Sequence, residues 1–106
     1  MTKTSKKIPN KPVIITTQTF REAGGLELFP NLEMGNSFSA RKLGDEDGGE
    51  SSARNKANSE LRQMARRRGY THLFGVRYKF DEYGHPSRGY AICTTTGTGY
   101  KPRGQL

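Results

Sequence analysis

The sequence predicts an α+β fold in which one amphipathic helix packs on a small, mostly antiparallel sheet. Three observations predict it. Apolar residues recur at helical spacing from Ala53 to Ala65, strict alternation follows at 71–80, and a second extended run at 89–98 lies beyond a turn-rich stretch. A chain of 106 residues holds one domain at most. We place it at 12–100, with an acidic loop at 44–52, a flexible basic tail at 1–11 and a frayed C-terminal tail at 101–106.

Residues 1–11 carry too few apolar groups to offset the entropy of ordering them. Pro12 to Phe20 is the first expected strand, since three β-branched apolar residues are followed by Thr16-Thr17-Gln18-Thr19 and Pro12 suits a strand's first position. Gly24-Gly25 marks a turn, and Leu26 to Leu32 is a short apolar stretch interrupted by Pro30. Met34 to Leu43 shows no clear period and reads as irregular, with room for one short strand. The helix is expected over 52–68, capped by Ser51 or Ser52 and closed by Gly69 in a left-handed conformation. Ala53, Ala57, Leu61, Met64 and Ala65 fall within a stripe of about 120° on it, with Arg62 and Arg66 on the opposite side and Arg67 on a flank.

Beyond the helix, His72, Phe74, Val76, Tyr78 and Phe80 are expected on one strand face, with Leu73, Gly75, Arg77 and Lys79 on the other. Asp81 to Arg88 reads as a long loop, and the returning strand places Tyr90, Ile92, Thr94 and Thr96 on one side. Gly97 and Gly99 are expected to weaken its end. The expected core contains Ile15, Leu61, Met64, Phe74, Val76 and Ile92.

Charge narrows the function. The net charge is +8, distributed as +5 over residues 1–21, −5 over 22–50, +7 over 51–80 and +1 over 81–106. Such a basic half points to an anionic partner, nucleic acid or a nucleotide. Arg62, Arg66, Arg67, Arg77 and Lys79 are the candidate phosphate contacts, and Tyr78, Tyr83 and Tyr90 the candidate stacking residues, the combination used by sheet-based single-strand binders. The competing reading is a solvated helix face whose last arginines complement the helix dipole. Polymer and small nucleotide both stay open.

Other chemistry finds little to stand on. His72, His85 and Cys93 lack the spacing of a metal site, and Asp45, Glu46 and Asp47 lack that of a calcium loop, so no metal or cofactor is expected. No nucleophile has a base and an orienting group at telling spacing, so the expected role is non-catalytic. The longest aliphatic run, Val13-Ile14-Ile15, is far below the roughly 20 residues that span a bilayer. With one cysteine and no apolar leader, the expected location is the cytoplasm.

The run Arg54 to Lys101, with Glu60-Leu61-Arg62-Gln63-Met64-Ala65-Arg66-Arg67-Arg68-Gly69, Leu73-Phe74-Gly75-Val76-Arg77-Tyr78 and Gly97-Thr98-Gly99-Tyr100, resembles the YbjQ-like and RcsF-like domains. There a helix ends at Gly, leads into a strand of the form apolar-apolar-Gly-apolar, and the chain closes on a strand with Gly-Thr-Ala. The resemblance implies small α+β protomers that assemble into rings, so a homo-oligomer or a protein-interaction role is the alternative expectation. A small inhibitor of a nucleic-acid enzyme, or a protein sequestering a nucleotide, of the kind phages use, is a third.

Overall fold

A computed structural model describes residues 12–83 and 90–104. The elements are β1 (Ile14–Ile15), α1 (Gly25–Leu28), β2 (Leu32–Leu43), α2 (Gly49–Arg67), β3 (His72–Tyr83) and β4 (Tyr90–Pro102). The four strands form one sheet in the order β1-β3-β4-β2, with β1 parallel to β3 and the other pairs antiparallel. The expected α+β class holds: α2 covers one face of the sheet, mainly over β4 and β2.

The helix forms for the reasons its sequence suggests. Ala53, Ala57, Leu61 and Ala65 are fully buried, one per turn, and Met64 packs beside them. Gly69 takes φ +84, and the N–H groups of Gly69 and Tyr70 donate to the carbonyls of Arg66 and Ala65 at 3.0 Å each, the paired bonds of a Schellman cap. The N-terminus lies earlier than expected, at Gly49, so Glu50, Ser51 and Ser52 belong to the first turn and the acidic loop ends at Gly48. Neither serine is the N-cap. Ser52 instead accepts the Asp45 N–H at 2.9 Å, and Lys56 pairs with the Asp45 carboxylate at 2.7 Å, which fastens the acidic loop to the helix.

Three expectations about strands are corrected. The first strand is two residues rather than nine, because Thr19 leaves the sheet to cap a turn: its N–H donates to Glu22 Oε1 at 2.9 Å and its Oγ1 accepts the Glu22 N–H at 3.1 Å. Met34 to Leu43 belongs to a 12-residue strand paired with β4 along most of its length. Its period is hidden by a bulge between Met34 and Ser37, held by the Tyr70 hydroxyl, which accepts the Asn36 N–H at 2.9 Å and donates to Asn36 Oδ1 at 2.7 Å. At the C-terminus, Lys101 and Pro102 are not frayed but pair with Glu33 and Leu32. The basic tail at 1–11 lies outside the described residues.

Gly97 and Gly99 do not weaken β4. They sit where a side chain has no room: a Cβ on Gly99 would lie 2.8 Å from Phe38 and 2.9 Å from Tyr70, and one on Gly97 would lie 2.9 Å from Val76. Under the helix, the core is Val13, Phe38, Ala40, Leu61, Ala65, Tyr70, Leu73 and Val76, extended by Ala53, Ala57 and Cys93. Ile15 lies at its margin. Phe74 belongs elsewhere, to a second cluster with Leu32 and Tyr100 that is closed by Phe20, Ala23 and Phe29. That cluster forms where the segment 16–31 folds over one end of the face α2 does not cover.

Candidate nucleic-acid interface

A bulge at Gly75 decides what faces where on β3. Gly75, at φ +66, donates its N–H to the Gln18 carbonyl at 2.7 Å, and the pairing with β4 shifts between Phe74 and Arg77. Two residues of β3 therefore oppose one of β4, and the alternation changes phase. Leu73, Val76, Tyr78 and Phe80 pack toward the helix, whereas His72, Phe74, Arg77 and Lys79 belong to the other face. The single-phase alternation expected from sequence is corrected accordingly.

The consequence is a separation of the five candidate cations. Arg77 and Lys79 are exposed on the helix-free face of the sheet, and Arg62, Arg66 and Arg67 are exposed on α2, on the far side of the molecule. Arg62 and Arg66 flank a cavity of about 180 Å³ against Pro12 and Val13, beside Ser59 and Gln63. Tyr78 is not free to stack on a base. Its ring is half-buried under the helix, its hydroxyl donates to Asn58 Oδ1 at 3.3 Å and accepts from Asn58 Nδ2 at 3.1 Å, and the Arg54 guanidinium lies 6.0 Å from its centroid. Tyr83 and Tyr90 pair with one another at the far end of β3 and β4, and their side chains lie outside the described residues.

What sequence reasoning missed is the row structure of the helix-free face. Register aligns Ser37, Thr98 and Phe74; then Ser39, Thr96 and Arg77; then Arg41, Thr94 and Lys79; then Leu43, Ile92 and Asp81. Arg41 joins this face through its pairing with Thr94. Its signal was present in Ser37-x-Ser39-x-Arg41, a period-2 polar run on a strand that the Gly35-Asn36 bulge disguised. Arg41 and Lys79 stand two strands apart, roughly 10 Å. None of Arg41, Arg77 and Lys79 has an ionic partner among the described residues; the ion pairs there are Lys56–Asp45 and Lys42–Glu60, the latter at 3.7 Å. The middle of the face is thus three cations set in serine and threonine hydroxyls.

Its covered end is aromatic. Phe20 stacks on Tyr100 at 4.3 Å and meets Phe74 edge-on at 5.3 Å, while His72 stacks on Phe74 at 5.7 Å and meets Phe29 edge-on. Burial holds the His72 imidazole below its ordinary pKa, and its Nδ1 lies 2.8 Å from Thr71 Oγ1. The same desolvation pushes the Tyr100 hydroxyl up. Asp45 is held below the usual carboxylate range by hydrogen bonds from Lys56 and Ser52 and by the Lys56 charge. Between the aromatic end and Arg77 lies a cavity of about 350 Å³.

Cys93 is buried, 3.3 Å from Thr95 Oγ1 beneath α2. Among the described residues no three His, Cys, Asp or Glu side chains group as metal ligands, and no helix is long and apolar enough to cross a membrane. Compared with protein-family models, curated proteins and solved structures, the chain matches none.

Proposed function

We propose that this protein is a non-catalytic binder of single-stranded nucleic acid, with the helix-free face of the sheet as the strand's path. One observation carries the reading: Arg41, Arg77 and Lys79 stand unpaired among the described residues on a face of hydroxyl side chains. Cations without internal partners keep their full charge for phosphates, and serine and threonine donate to phosphate oxygens without demanding a base sequence. The remaining arginines on α2 fit a simpler role, since Arg66 and Arg67 occupy its last turn, where positive charge complements the helix dipole.

The test sets the two faces against each other. Arg41→Glu with Lys79→Glu, and separately Arg62→Glu with Arg66→Glu, are titrated with a labelled single-stranded oligonucleotide over a salt series. The wild type is expected to show log affinity falling linearly with log salt, at a slope of about 0.7 per neutralised phosphate. The sheet-face variant loses binding and the helix-face variant keeps most of it. Absence of binding at low salt, or loss confined to the helix-face variant, overturns the reading.

A second reading rests on the outer edge of β2. Among the described residues this 12-residue strand ends the sheet and pairs on one side only, with β4. Open edges of that length are usually paired or blocked, and the YbjQ-like resemblance supplies a means, closure into a ring. On this reading the native mass is a multiple of 11.8 kDa.

A further inference from the structure

The strand path runs into the 350 Å³ cavity, and the chemistry of that cavity differs from that of the rows beside it. Its floor is the row Phe74, Thr98 and Ser37. Phe20 and Tyr100 wall the covered end, and Met34, paired with Tyr100 and 67% exposed, stands at the mouth. Arg77 lies on the next row, about 7 Å along the strand by the two-residue repeat of a pleated sheet. A half-open cavity lined by aromatic, thioether and hydroxyl side chains thus reaches an exposed guanidinium.

Resting on the reading above, we propose that this cavity is a nucleobase subsite: one base enters between Phe20 and Met34 while Arg77 holds its phosphate. The volume lies at the small end of ligand pockets, fitting one nucleoside-sized group rather than a length of chain. Its aromatic and thioether walls offer contacts to a π-face that every base has. The hydroxyls of Ser37 and Thr98 reach the base edge, where hydrogen bonding is required once water is displaced. The roof is held in advance of binding. The Gly75 to Gln18 backbone bond and the reciprocal Thr19–Glu22 bonds fix the turn that carries Phe20, so little ordering is left for the ligand to impose.

The experiment compares a labelled oligothymidylate with an abasic strand of the same length, at low salt, on the whole chain. The wild type is expected to bind the base-bearing strand at least tenfold more tightly. Phe20→Ala removes that difference and leaves abasic affinity unchanged. Because Phe20 also supports the second core cluster, Ser37→Phe is the companion: it fills the exposed floor without deleting a core ring, and is likewise expected to reduce base-bearing to abasic affinity. Equal binding of both strands by the wild type overturns the subsite and leaves the phosphate path standing. An undiminished difference in Ser37→Phe also overturns it. Failure to bind either strand overturns both.

Discussion

At the scale of single residues, the Tyr70 hydroxyl closes the β2 bulge by serving the Asn36 N–H and Oδ1 together. Tyr70→Phe keeps the ring in the core but orphans a partly buried N–H, so chemical denaturation is expected to show a loss of about 1 to 2 kcal/mol at unchanged m-value. His72 supplies a pH dependence with a definite sign. Desolvation against Phe29 and Phe74 lowers its folded pKa beneath the ordinary value of 6.5, so the unfolded chain binds the proton first as pH falls. Stability is therefore full above about 6.5 and declines below it, until pH passes the folded value. The melting temperature should drop between pH 7.5 and 5, and His72→Phe should flatten that drop; an unchanged slope would place the titrating group elsewhere.

At the scale of elements, the helix and β4 are held in different ways. The α2 stripe is a buried apolar face, so Leu61→Ala is expected to cost about 2 to 5 kcal/mol, whereas Arg62→Ala on the solvent side costs little. Comparable small shifts in melting temperature for both would mean that the helix packs by another face. In β4 the limiting quantity is space. Gly99→Ala puts a methyl within 3 Å of two packed rings, and overpacking of this kind costs about 1 to 3 kcal/mol, which thermal denaturation would register. Both register shifts fall opposite a β4 glycine, Gly35-Asn36 of β2 across from Gly99 and Gly75-Val76 of β3 across from Gly97.

The whole molecule has two basic faces with a sheet between them, and this makes its charge informative. Net charge of +8 could serve solubility alone, in which case reversing two charges on either face would matter equally. Unequal effects on oligonucleotide binding, with the Arg41 and Lys79 face dominant, are expected instead. Native mass before and after nuclease treatment separates the proposed role from the assembly reading. A nuclease-sensitive mass indicates bound nucleic acid. A nuclease-resistant multiple of 11.8 kDa indicates closure through the β2 edge.

Features whose causes lie within a few residues of each other are legible in the amino-acid order: the α2 stripe from Ala53 to Ala65, its close at Gly69, the change to an extended period after it, and the basic balance of residues 51–80. Thr19-x-x-Glu22 is equally local and marks the turn that begins at Thr19, although the paired strand already ends at Ile15. Strand pairing, not local pattern, puts Arg77 and Lys79 on the opposite side of the sheet from Arg62 and Arg66 and brings Arg41 beside them. The physical reason is that facing within a sheet is a property of pairing. One extra residue at Gly75 reverses the side of every residue before it relative to those after, and a second bulge in β2 does the same at Gly35-Asn36. Those two phase changes are set by contacts with Gln18 and Tyr70, respectively about 60 and 35 residues away in the chain, which no local period records.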